Sequence, residues 1–177
     1  MLNFTAGASS LTITNVQLFN AGRYQVLITN LFLPTGTRSS NAVLTVLADS
    51  DRDHIPDFWE SLYGLKPNDP TDADDDPDGD SMTNYEEYIA GTDPTDAASY
   101  LHIDATAAIP GGGAILSFIA VSNRTYSVLY RDNVGAGSWQ RWTNISPSAP
   151  INRVLVLTNA PAAVGKRFYR LVTPQAP

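Results

Sequence analysis

Sixteen of the chain's 18 acidic residues fall between Asp49 and Asp96, where Arg52 and Lys66 are the only bases, so one stretch of a 177-residue protein carries a charge of -14. Two like charges about 4 Å apart repel by about 1 kcal/mol in bulk water and several times more near a protein surface. A chain built this way either leaves its acids splayed in solvent or supplies a cation that draws them together. The flanks carry +2 over residues 1–48 and +5 over residues 97–177. The acids are therefore not spread out as on a surface charged for solubility. Nucleic acid is an unsuitable partner for such a block.

The spacing within the block favours the cation. In DSDRDHIPDFWE, numbered from Asp49, acids stand at positions 1 (Asp49), 3 (Asp51), 5 (Asp53), 9 (Asp57) and 12 (Glu60), with the Ile55 carbonyl at 7. This is the ligand order of a twelve-residue EF-hand-type loop. Such a loop offers a hard cation six to eight oxygens, and its last Glu can give both of its own. The order returns from Asp76: Asp76, Asp78, Asp80, the Met82 carbonyl, Asn84 and Glu87. A frame begun at Asp74 would put Gly79 at position 6 but Tyr85 at position 12, losing the closing carboxylate. Position 6 is held by His54 and Ser81 in place of the usual glycine. Apolar residues three and four apart (Phe58, Trp59, Leu62, Tyr63, then Tyr85, Tyr88, Ile89) predict a short helix after each loop. Gly64 and Gly91 stand where C-caps belong. Magnesium demands stricter octahedral geometry and keeps its waters, so two or more calcium ions are the expected cofactors.

DSDRDHIPDFWE and DPDGDSMTNYEEYIAGTDPTD resemble the thrombospondin type 3-like calcium repeats of bacterial surface and secreted proteins, a resemblance covering residues 49–96. It implies that a further Asp after each helix joins a neighbouring site. This nominates Asp93 and Asp96 in GTDPTD, and Asp69 and Asp72 in NDPTD. It also implies an extracellular or cell-surface location.

Both flanks read as β. Leu11–Ile13, Tyr24–Ile28 and Ala42–Leu47 are predicted strands before the block, and Ala114–Val121, Thr125–Tyr130, Arg153–Leu157 and Arg167–Val172 after it. SLTITNVQLFNAGRYQVLITN resembles the strand E to strand F passage of an immunoglobulin-like domain. Tyr24 stands there as the corner tyrosine, and Val26 where a disulfide cysteine would be. A whole domain of that type needs about 100 residues, and residues 1–48 are half of one. The expectation is a C-terminal piece of a longer secreted protein, in which residues 1–48 alone pair with another copy or stay loose. The C-terminal region is similar to small β-sandwiches that end large surface proteins. The expected fold is thus mainly β: immunoglobulin-like strands (1–48), a calcium-binding loop-helix segment (49–100) and a C-terminal sandwich (101–177).

No cysteine is present, so thiolate chemistry and disulfides are excluded. His54 lies inside an acidic loop, His102 begins a strand, and no P-loop, G-x-S-x-G or H-E-x-x-H pattern occurs. Catalysis is not expected. No apolar run approaches the roughly 20 residues of a membrane span. The alternative to a calcium-stiffened connector is a glycan- or surface-polymer-binding module, with Trp139, Trp142, Tyr126 and Tyr130 as stacking surfaces.

Overall fold

The computed structural model describes residues 13–110, 113–133, 135, 137–146, 151–159 and 166–174. The architecture is mainly β, with small antiparallel sheets and two short α-helices. No helix among the described residues is long and apolar enough to cross a membrane. Of the predicted strand Leu11–Ile13, residues 11 and 12 lie outside the described residues, and Ile13 is not in a strand.

Before the acidic block, β1 (Gly22–Tyr24) pairs with β4 (Ala42–Leu44), and β2 (Leu27–Asn30) with β3 (Leu33–Arg38). The predicted strand Tyr24–Ile28 is two strands. Its first part takes Ala42 as partner and its second takes Arg38, with Ser39 bonding Val26 at the break through both its N–H and its hydroxyl. Gly36 is required where β3 passes β2: a Cβ there would lie 2.6 Å from Leu27 Cδ1, at a φ of +71°. The Tyr24 hydroxyl donates to the Asn20 carbonyl at 2.6 Å. Among the residues before Asp49 whose exposure is described, none is buried. Leu18, Phe19, Val26, Ile28, Leu31 and Val43 all face solvent.

The acidic block folds as the spacing predicts. Helix α1 (Asp57–Tyr63) and helix α2 (Asn84–Ala90) follow the two loops, ending on Gly64 (φ 81°) and Gly91 (φ 78°) in the left-handed conformation that glycine adopts freely. Thr83 and Glu86 form a capping box at the start of α2. Trp59 is 7% exposed, while Phe58 and Leu62 are 56% and 69% exposed. The covered apolar side of α1 is therefore the Trp59–Tyr63 stripe, with the wholly buried Glu60 beside it. Ile55, Trp59 and Ala73 form the centre, closed by Tyr63, Leu65 and Tyr88. Trp59 lies 4.6 Å from Tyr63 and 5.6 Å, edge-on, from Tyr88, centroid to centroid. Such pairs contribute about 0.5–1.5 kcal/mol each beyond area burial, and the second of them ties α1 to α2.

After the block, β5 (Ala105–Ile109), β6 (Gly113–Ala120) and β9 (Arg153–Asn159) form one sheet in the order β5-β6-β9. The other, in the order β10-β7-β8, joins β7 (Tyr126–Arg131), β8 (Gln140–Ile145) and β10 (Phe168–Val172). The chain makes two hairpins and then returns one strand to each sheet. Side chains of both sheets meet in one cluster: Phe118, Ala120 and Tyr126, with Leu155, Leu157, Ile145, Leu171 and Leu101 around them. The Tyr126 hydroxyl accepts the Val121 N–H at 2.9 Å.

This β unit touches the second loop. Arg124 Nη2 donates to the Tyr88 carbonyl at 2.6 Å, and the Leu101 N–H to Met82 Sδ at 3.2 Å. A Cβ on Gly91 would lie 2.8 Å from Val121 Cγ1, so the helix cap also needs glycine for space.

Candidate metal centres

Each loop is braced by its own carboxylates in the same pattern. Asp49 Oδ1 accepts the Arg52 N–H at 2.7 Å, its Oδ2 accepts the His54 N–H at 3.3 Å, and Asp53 Oδ1 accepts the Ile55 N–H at 2.7 Å. In the second loop Asp76 accepts the Gly79 and Ser81 N–H groups at 2.8 and 3.0 Å, and Asp80 accepts that of Met82 at 2.8 Å. Position 1 therefore braces positions 4 and 6, and position 5 braces position 7, in both. The N–H of position 9 closes each loop on the residue before it: Asp57 to the Ala48 carbonyl at 3.0 Å, Asn84 to the Asp75 carbonyl at 2.9 Å. The backbone follows suit. Arg52 and Gly79 at position 4, and His54 and Ser81 at position 6, have φ of 71°, 79°, 79° and 80°. A non-glycine residue is strained there by roughly 1–2 kcal/mol, and these loops hold three.

The oxygens left over have no partner in the protein. In the first loop they are both of Asp51, Asp53 Oδ2, both of Glu60 and Asp72 Oδ1; in the second, Asp78 Oδ2, Asp80 Oδ2 and both of Glu87. Every one is shielded from solvent, and Glu60 and Glu87 are wholly buried. Asp49, Asp51 and Asp53 bring ligand atoms within 4.8 Å of one another; so do Asp53, Glu60 and Asp72, and so do Asp76, Asp78 and Asp80. These groups could hold a metal ion. A buried carboxylate without donors costs several kcal/mol when ionised, and convergent neighbours raise that cost. Burial, then the charges of Asp51, Asp53 and Asp72, push the Glu60 carboxyl up from 4.5 to about 7. Burial does the same to Glu87, against the lowering effect of the Thr92 hydroxyl and helped by the charges of Asp78, Asp80 and Asp93, again to about 7. Asp53 and Asp78 are also raised, burial being the largest cause.

Of the four aspartates nominated after the helices, Asp72 alone joins a group. Asp69 accepts from Lys66 Nζ and the Thr71 hydroxyl, and Asp93 from the N–H and hydroxyl of Thr95 in the same local turn. Asp96 is exposed, and its Oδ1 accepts the Ala98 N–H. The position-9 residues diverge. Asp57 turns both oxygens to Ser50, accepting its N–H at 2.7 Å and its hydroxyl at 2.8 Å. The second loop has Pro77 at that position 2, which has no N–H to give. Asn84 is released from that task, and it is wholly buried. Ser50 was not singled out from the sequence, and only its place between two ligand aspartates could have marked it.

The rings nominated for stacking have side-chain neighbours. Tyr126 is buried in the core. The Arg131 guanidinium lies 4.5 Å from the Trp139 ring centroid, and that of Arg167, paired with Asp132 at 2.7 Å, lies 4.2 Å from Tyr130. Trp142 leans on Tyr169 at 6.0 Å. His102 sits between the Tyr100 carbonyl (2.8 Å) and Asp104 (2.9 Å).

Compared with known proteins, the chain matches no family model, no curated protein and no solved structure.

Proposed function

We propose that residues 49–96 bind two calcium ions and thereby form a stiff connector between β domains of an extracellular or cell-surface protein. The observation that carries this is the pair of wholly buried glutamates, Glu60 and Glu87, whose four carboxylate oxygens make no well-formed hydrogen bond, the Thr92 hydroxyl beside Glu87 being the one donor near them among the described residues. The first ion takes Asp49, Asp51, Asp53, the Ile55 carbonyl, Glu60 and Asp72, with Asp57 at position 9. The second takes Asp76, Asp78, Asp80, the Met82 carbonyl, Asn84 and Glu87. Asp93 and Asp96 are the outer candidates for the second ion. An all-oxygen set with a closing glutamate suits calcium better than magnesium, which keeps more of its water. In this reading the resemblance to thrombospondin type 3-like repeats is a true relationship, and the calcium levels outside cells set the affinity the loops need.

The flanking domains take residues 1–48 and 101–177. The Tyr24–Asn20 bond supports an immunoglobulin-like first flank, since the corner tyrosine of that fold also bonds upstream backbone. The cluster shared by two three-stranded sheets supports a sandwich in the second.

Metal binding to the folded form alone adds stability, about 2.7 kcal/mol per site at a calcium concentration 100 times Kd. For a segment whose buried apolar centre is Ile55, Trp59 and Ala73, that is a decisive share. Scanning calorimetry on chelator-stripped protein is expected to show the transition of residues 49–100 shifted to a much lower temperature, and calcium is expected to restore it. Superimposable traces with and without chelator would overturn the proposal.

A further inference from the structure

We infer that the two loops bind their ions cooperatively, and that Asn84 is the residue that couples them; this rests on the two-site reading above. Asn84 is wholly buried, and its amide Nδ2 donates to the main-chain carbonyl of Asp72 at 2.7 Å. A carbonyl only accepts, so this bond fixes which end of the amide is nitrogen. The other end, Oδ1, is buried and has no protein partner, and it belongs to the ligand position of the second loop. Asp72 in turn places its carboxylate beside Asp53 and Glu60 of the first loop, with Oδ1 unpartnered and Oδ2 held by the Lys66 N–H at 2.8 Å. A single hydrogen bond therefore joins a ligand residue of one ion to a ligand residue of the other. The first loop has no counterpart of this bond, because its position 9, Asp57, is occupied with Ser50. The ring contact between Trp59 and Tyr88 runs alongside, and each ring is the chain neighbour of a closing glutamate, Glu60 or Glu87. An ion that seats Asn84 in the second loop also seats the Asp72 carbonyl, and with it the outer ligand of the first.

The test uses calcium titration calorimetry of the full chain. Glu60→Gln and Glu87→Gln each leave one working loop and give its separate binding constant. Coupling requires the overall two-ion constant of the unaltered chain to exceed the product of those two by roughly tenfold, in the ordinary range for coupled sites. Asn84→Asp keeps a ligand oxygen and removes the N–H donor. It is expected to bind two ions with that excess abolished. Equality of the overall constant and the product in the unaltered chain would overturn the coupling and leave the two sites standing. An excess undiminished by Asn84→Asp would overturn the role of Asn84, and absence of saturable binding in the unaltered chain would sink both readings. If Asn84→Asp does not fold, the comparison between the unaltered chain and the two glutamate variants still decides whether coupling exists.

Discussion

Glu60→Gln is expected to reduce calcium binding from two ions to one at any concentration near the normal midpoint, and Glu87→Gln to do the same from the other side. Loss of a directly ligating carboxylate should weaken its loop by about 100-fold or more, the upper end of what even outer-shell changes cost. Without calcium the sign reverses. Glu60 is buried among Asp51, Asp53 and Asp72, so a neutral amide of similar shape relieves repulsion there. The stripped variant should melt later than the stripped unaltered protein at pH 8, while the calcium-loaded variant melts earlier. Thermal melts of both proteins in both conditions check this crossing. A variant that is weaker in both conditions would mean that Glu60 serves packing rather than a metal.

Calcium is also expected to remove a pH dependence that the stripped protein shows. In the metal-free chain the carboxyls of Glu60 and Glu87 are raised from 4.5 to about 7, so the folded form holds protons that the unfolded form has released. Stability of the stripped protein must then fall as pH rises from about 4.5 through 7, by at most about 1.4 kcal/mol per unit for each carboxyl, and level off above. Calcium requires both groups ionised, so the loaded fold and the unfolded chain are both deprotonated across most of this window and loaded stability stays level there, while metal uptake near pH 6 releases protons. Melting temperatures between pH 5 and 8, with chelator and with calcium, should converge at the acid end and diverge at the alkaline end. Parallel curves would contradict the assignment of these glutamates.

Much of the site was legible because ligand chemistry is written in side-chain type and spacing. Acids at 1 and 5 are placed by their own bonds to the following N–H groups, bonds local enough to read along the chain. The left-handed turn at position 4 was not legible at Arg52, since nothing in an arginine announces it and the cause lies in Asp49 taking the N–H. Asn84 reads from the spacing as a position-9 oxygen, but its nitrogen's partner, twelve residues away, is a tertiary fact. The helices were legible in place and in caps, whereas spacing alone offered two apolar stripes on α1 and only packing against Tyr88 and Ile55 chose Trp59 and Tyr63 over Phe58 and Leu62. Among strands, β3 carries Pro34 and Gly36, β5 is largely alanine, and β8 is mostly polar. Their pairing comes from neighbours that already form sheet, a long-range effect that composition does not carry.

The central claim is that the crowded carboxylates hold metal, and calorimetric titration of chelator-stripped protein with calcium tests it most directly. The account predicts saturable binding of two ions per chain, accompanied by proton release at pH 6. A titration showing only dilution heats, with the loop signals unchanged from start to finish, would contradict it.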